Sequence, residues 1–242
     1  MMVLLIRKTK INWSVVKNNW IYLLISGGAL GFNWIIFFEA YKYTSVAIAT
    51  LCYYMAPVFV ILISPFILKE KLTMFKLGCT ITAIIGAVLI SGVIGSSGQD
   101  LRGIGFGLIA ALLYAGIIIV NKFIKGLSGV ETTFCQLAIS AIIMIPYVIF
   151  TEDIGFDYVS ATTIILLLIV GVVHTGIVYI LFFSAINKLP AQTSAILSYI
   201  DPITAILLSA LFLRQAMGAV QIIGTVLILG SAMFNNIKTK EA

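Results

Sequence analysis

From Thr44 to Thr73 the chain reads TSVAIATLCYYMAPVFVILISPFILKEKLT, an apolar run with a proline near its middle and Lys69-Glu70-Lys71 at its end. A bilayer-spanning helix needs about 20 apolar residues, and this run supplies them. It has an echo from Leu189 to Gly218, LPAQTSAILSYIDPITAILLSALFLRQAMG. Pro57 and Pro202 set an offset of 145 positions (202 − 57), at which Tyr54 meets Tyr199, Ser64 meets Ser209 and Lys69 meets Arg214. Upstream, Gly31 meets Gly176, Phe37-Phe38 meet Phe182-Phe183, and Ala40 meets Ala185. A chain duplicated around a proline-broken apolar helix can fold only where lipid covers most of its surface.

Composition agrees. Hydrophobic residues make up 61% of the chain and charged residues 10%, against about 25% charged in soluble domains. The mean hydropathy is +1.15. A net charge of +6 would point to nucleic acid in a soluble protein. Here it reads as cationic cytoplasmic loops, so no nucleic-acid partner is expected. Cys52, Cys79 and Cys135 sit in apolar runs without CxxC spacing and read as small packing residues. Met1 to Ile6 is apolar but too short to span, and Arg7-Lys8 cuts it off before a signal core is complete.

The predicted fold class is an all-α membrane protein with eight transmembrane helices, three in the first half and five in the second. The helices run over about 20–41, 46–68, 74–94, 103–122, 132–150, 162–186, 191–213 and 218–234. None alternates with period two as a barrel strand would. The halves are 1–95, an incomplete first repeat, and 103–236, the second, joined by a polar linker 96–102 and followed by a tail 237–242. Stripes of small residues allow close helix approach in lipid: Gly103, Gly107, Ala111 and Ala115; Gly78, Thr82 and Gly86; Gly27 and Gly31. Gly103-x-Gly105-x-Gly107 is not a phosphate loop, because Leu108 stands where the third glycine belongs.

With both termini in the cytoplasm, only Lys42, Arg102 and Arg214 of the fifteen basic residues fall outside, and that asymmetry fixes the orientation. The run around Pro57 then enters from outside and the run around Pro202 from inside, so the repeat is inverted and needs an odd helix count. The second half has five helices and the first three. Two helices, on the order of 45 residues at about 20 per span, are absent from the symmetric plan ahead of Met1.

The proline-centred helix followed by Lys-Glu-Lys-Leu-Thr, the lead-in Asn33-Trp34…Phe38-Glu39-Ala40…Tyr43-Thr44-Ser45, and the five-helix inverted repeat resemble an EamA-type transporter of the drug/metabolite transporter superfamily. The resemblance covers Trp20 to Phe234. It implies a multi-pass carrier of the cell membrane, both termini cytoplasmic, moving small metabolites or drugs, often outward. Two features depart from the family pattern. The first two helices are absent, and Leu213-Arg214-Gln215 stands where the family usually carries Gly-Glu, so Gln215 replaces the acid matched by Glu70.

Inverted repeats with interrupted helices place substrate sites near the midplane. Pro57 and Pro202 each remove one intrahelical hydrogen bond, which would free the carbonyls of Tyr53 and Ser198. The competing reading is a plain bend. Asp201 lies mid-helix beside Pro202, and an intramembrane carboxylate costs about 2.5–3.5 kcal/mol on insertion scales. It reads either as a coupling or cation-binding group or as a neutral acid that stabilises the kink. Glu39 reads as a gate residue or as a surface acid paired with Lys42 at i+3. His174, the only histidine, reads as a packed residue or as a group approached by Asn33, Tyr179 and Asp201. The amphipathic rings of Trp34, Tyr53, Tyr54, Tyr114, Tyr179 and Tyr199 are candidates to line the pore, against the bland reading as core or lipid-facing aromatics. The candidate substrate or coupling set is therefore Asn33, Trp34, Glu39, Tyr54, Pro57, Tyr114, His174, Tyr179, Ser198, Tyr199, Asp201 and Pro202.

No enzyme motif, cofactor loop or metal cluster is recognisable, so neither an enzyme nor an ATP-driven pump is expected of this chain. The expected function is secondary transport by alternating access. The alternative is a non-transporting membrane scaffold or partner subunit. The expected partners are the lipid bilayer, a small-molecule substrate and, as a homodimer closing the gap left by the absent helices, a second copy of the chain.

Overall fold

The computed structural model describes residues 11–44, 46–91, 101–151, 160–198, 200, 201, 204 and 219–240. Every regular element among them is helical. In chain order these are α1 (Trp13–Asn18), α2 (Trp20–Tyr43), α3 (Val46–Tyr53), α4 (Ala56–Ile67), α5 (Met74–Ser91), α6 (Leu101–Asn121), α7 (Gly129–Thr151), α8 (Ala161–Ile169), a π-helical segment (Val170–Ile177), α9 (Val178–Ile186), α10 (Ala191–Leu197) and α11 (Ala219–Lys240). Five spans among the described residues are long and apolar enough to cross a bilayer: Trp20–Tyr43, Ile48–Ile67, Leu101–Asn121, Gly129–Thr151 and Ala161–Ile186. Met74–Leu89 and Ile222–Ser231 are apolar but shorter. Most of the predicted helix 191–213, with Tyr199 and Pro202, lies outside the described residues.

Local chemistry fixes several helix ends. The Asn12 side chain accepts from the Val15 amide and caps the start of α1. Ser128 and Glu131 form a capping box at α7: Ser128 Oγ accepts from the Glu131 amide at 3.3 Å, and the Glu131 carboxylate accepts from the Ser128 amide at 2.9 Å. Ser160 caps α8 by accepting from the Thr163 amide. Lys69, with φ +57°, turns the chain out of α4 in the left-handed conformation typical of helix C-termini.

The chain divides into two compact units. One comprises Met1–Phe32 with Val120–Leu189. Within it Leu23, Ile124 and Cys135 form a buried cluster joined by Val16, Leu127 and Ile139. Gly27 and Gly31 let α2 run against α7. A Cβ on Gly27 would stand 3.1 Å from Gln136 Cα, and one on Gly31 3.2 Å from Ser140 Cα. The contact is tied by polar groups, with Ser140 Oγ donating to Gly27 O at 2.8 Å and Gln136 Nε2 to Ser26 Oγ at 2.6 Å. Lys122 Nζ donates to the Ile186 and Leu189 carbonyls, where α9 ends.

The other unit comprises Asn33–Ile119 with Pro190–Ala242. The α6 stripe of Gly103, Gly107, Ala111 and Ala115 is buried as expected. A Cβ on Gly107 would meet Cys52 Cβ at 2.7 Å and Ala49 O at 3.2 Å, so α3 rests directly on α6. The α5 stripe works at only one end. Gly86 abuts Gly224 O, 2.7 Å from its would-be Cβ, and lets α5 pack along α11, whereas Gly78 is exposed with open space beside it. Cys79 packs with Ile61 and Ile196, and Cys135 in the first unit is likewise buried, which agrees with their reading as packing residues.

Candidate functional site

The broken run around Pro57 organises the second unit. Its first half, α3, ends as the Met55 amide shortens its bond from the i−4 to the i−3 carbonyl, Cys52 O, at 3.1 Å. The second half, α4, starts at Ala56 with Pro57 in its first turn, where a missing amide costs little. The echo behaves alike: α10 starts at Ala191, the counterpart of Val46, and ends at Leu197, with Ser198 in a turn. One expectation needs correction here. The Ser198 carbonyl is not free, because the Asp201 amide donates to it at 3.2 Å and closes the turn that Pro202 would have left open.

The two broken helices pack on each other antiparallel. Gln192 Nε2 donates to Ser64 Oγ at 2.7 Å, and Ile196, four residues further along α10, joins Ile61, three residues back along α4. At the start of α10 the preceding residue is Pro190, which offers no capping side chain. Glu70, from the turn after α4, takes that place: its carboxylate accepts from the Ala191 amide at 2.7 Å and the Gln192 amide at 3.2 Å. An anion at a helix N-terminus satisfies orphan amides and the helix dipole together. Sequence reasoning gave Glu70 no role beyond a loop. Its partners lie 121 and 122 positions away, and nothing local announces them.

Around the break stands an aromatic cluster built by α2, α3 and α6. Asn33 is buried, 1% exposed. It donates through Nδ2 to Ala110 O at 2.6 Å and accepts at Oδ1 from the Tyr53 hydroxyl at 3.2 Å. Those bonds fix the Tyr53 ring, which packs on Phe37 at 4.4 Å and Tyr114 at 5.4 Å between centroids; Phe37 in turn packs on Tyr41 at 5.0 Å. Tyr54 leans on Ala83, Ala87 and Ile228 and lies within electrostatic range of Tyr41 and Asp201. Asp201 is exposed, and no cationic side chain among the described residues lies within ion-pair distance of it.

The candidate residues thus separate. Asn33, Tyr54, Tyr114, Pro57, Ser198 and Asp201 belong to this one unit and gather around the two breaks, together with Tyr53 and Phe37; Trp34, in the same unit, is half-buried on α2. Glu39 pairs with Lys42 at 2.9 Å, the i,i+3 surface pair anticipated for it. His174 and Tyr179 belong to the other unit. His174 lies exposed in the π-helical segment, and Tyr179 stacks on Phe183 at 5.5 Å. The apolar pattern here suits an α-helix equally well, so nothing local announces the π-helix, a rare form often found at functional positions.

Comparison with known proteins places this geometry. The EamA-like transporter family matches residues 1–92 and 101–237. The Uncharacterized transporter YxxF of Bacillus subtilis (strain 168) is 36% identical over 219 residues, which cover 89% of this chain and 69% of that protein. Protein PecM of Dickeya dadantii (strain 3937) is 24% identical over 217 residues, covering 88% and 72%. A solved structure described as "Crystal structure of protein" superposes with a TM-score of 0.79 at 20% identity, over 96% of this chain and 81% of that one, a likeness of fold.

Proposed function

The chain belongs to the EamA-like transporter family, a multi-pass membrane protein among transporters, and from that premise we propose that it is a secondary transporter exporting small metabolites or drugs across the cytoplasmic membrane by alternating access. In this reading the first repeat covers 1–95 and the second 103–236, eight helices in inverted arrangement, with both termini in the cytoplasm and the site at the two helix breaks.

One observation carries the reading. Two helices 145 positions apart in sequence break at matching points and pack antiparallel, with Gln192 on Ser64 and Ile196 on Ile61. Antiparallel pairing of broken helices is what an inverted repeat requires, and the breaks are where such carriers hold substrate. Non-helical backbone at membrane depth is tolerated where it is buried in protein or lines a wet cavity, and an aromatic cluster and a carboxylate stand beside these breaks.

The test is transport by the full chain. Cells expressing it should release into the medium at least one small metabolite that cells carrying Asp201→Asn or the empty vector retain. An unchanged extracellular metabolite profile, with the protein intact in the membrane, refutes export and favours a scaffold role. Orientation is checked separately: cysteines introduced at Gly98 and Asp157 should react with an impermeant thiol reagent added outside, and cysteines at Lys10 and Lys240 should not. The reverse labelling would invert the topology.

A further inference from the structure

Resting on the transport reading and deepening it, we propose that the space beside the two helix breaks is an organic-cation site, in which the Asp201 carboxylate neutralises a substrate ammonium while Tyr54, Tyr53, Phe37 and Tyr41 offer it ring faces.

The placement of Asp201 follows from helix register. Gln192 of α10 meets Ser64, and Ile196 meets Ile61. Asp201 follows within one turn of the end of α10, its amide bonded to the Ser198 carbonyl at 3.2 Å, beyond the point where Ile196 meets Ile61 of α4. The electrostatic reach of Asp201 to Tyr54 agrees with that register. Tyr54 itself packs on Ala83, Ala87 and Ile228. Its neighbour Tyr53 packs on Phe37 and Tyr114, Phe37 packs on Tyr41, and Tyr41 acts electrostatically on Tyr54.

Charge decides the class of ligand. The cations of the described part of this unit are accounted for: Lys42 pairs with Glu39, Arg102 stands over the Tyr43 ring at 5.4 Å, Lys69, Lys71 and Lys76 lie at or beyond the end of α4, and Lys238 and Lys240 fall in the last turn of α11. Asp201 is exposed, and its carboxylate has no partner among the described residues. A carboxylate within the span of a membrane helix is stable when it faces a counter-ion or a wet cavity. Ring faces carry negative electrostatic potential and attract ammonium groups, quaternary ones above all. A carboxylate beside several such faces repels an anionic substrate and attracts a cationic one. The first repeat places Ala56 at the position equivalent to Asp201, so helix packing alone does not call for an acid there.

The experiment measures equilibrium binding of radiolabelled benzyltrimethylammonium to the purified full chain in detergent, with benzenesulfonate as the anionic competitor of similar size. Saturable binding that benzenesulfonate does not displace is expected. Asp201→Asn should weaken it about tenfold or more, and Asp201→Glu should retain it. Tyr54→Ala should weaken it severalfold. Equal displacement by benzenesulfonate, absence of saturable binding, or an unchanged affinity in a folded Asp201→Asn protein each overturns the proposal. If Asp201→Asn does not fold, the cation-over-anion preference of the parent protein decides it. Counterflow in proteoliposomes keeps the two readings apart. Cation binding without flux refutes transport and leaves the site standing, whereas flux of an anion without cation binding refutes the site and leaves transport standing.

Discussion

Glu70 is the residue whose removal the structure prices most directly. Its carboxylate accepts from two amides of the first turn of α10, at 2.7 and 3.2 Å, and Pro190 leaves no local side chain to replace it. Losing an N-cap costs about 0.5–2 kcal/mol, and the charge at the helix dipole is worth about 0.3–1 kcal/mol more, up to about 2 when partly buried. Glu70 is half-buried, so Glu70→Ala is expected to destabilise by about 2 kcal/mol, and Glu70→Gln, which keeps an acceptor but loses the charge, by about 1 kcal/mol. At about 2–4 °C per kcal/mol for a chain of this size, Glu70→Ala should lower the unfolding midpoint by about 4–8 °C. The three cysteines, two of them buried, make a thiol-reactive dye a direct unfolding reporter in detergent. Glu39→Gln is the control. It removes the acid of a surface pair in which Lys42 is 55% exposed, and such pairs contribute about 0–1 kcal/mol. A Glu70→Ala midpoint within 1 °C of the parent, or no lower than that of Glu39→Gln, would refute the capping role.

Further outcomes follow from the same geometry. Gly107→Val should reduce the yield of folded protein sharply, because its Cβ meets Cys52 Cβ at 2.7 Å and Ala49 O at 3.2 Å; Gly105→Ala, with open space beside it, should be neutral or raise stability by about 0.5–1 kcal/mol, and fluorescence-detected gel filtration after heating ranks them. Tyr53→Phe deprives Asn33 Oδ1 of its Tyr53 donor and should cost about 1 kcal/mol, visible as a lowered midpoint with the ring packing kept. Gln136→Leu removes the donor to Ser26 Oγ and Asn121 Oδ1 in a buried setting and should cost about 2 kcal/mol or more, measured in the same unfolding assay.

The legible part of this fold is the part written in local patterns. Apolar runs of spanning length located α2, the α3–α4 pair, α6, α7 and the α8–α9 span, because length and hydropathy are properties of contiguous residues. Pro57 located the break for the same reason, and the Gly103–Ala115 and Gly27–Gly31 stripes marked real close contacts. Periodicity could not distinguish Gly86, which touches α11, from Gly78, which touches nothing, since that difference lies in the partner helix. The Ser198 carbonyl was misjudged because a proline removes the i−4 bond without saying that the i−3 amide, here Asp201, will replace it. The Tyr53 hydroxyl reaches Asn33, twenty positions back, a contact that no local pattern announces.

Those long-range polar contacts also explain why Asp201 stands apart. In hydrocarbon a polar group must be satisfied inside the protein, and this chain turns that demand into fastening. Asn33 joins α2 to α6 and α3, Gln136 joins α7 to α2 and α6, Gln192 joins α10 to α4, and Glu70 joins the end of α4 to the start of α10. Each of these bonds holds two elements together, although the buried Gln136 Oε1 and Gln192 Oε1 find no partner among the described residues. The Asp201 amide takes part in the same scheme by closing the turn at Ser198, but its carboxylate fastens nothing among the described residues. An acid absent from the matching position of the other repeat and within electrostatic range of Tyr54 is the group on which the proposed cation site rests.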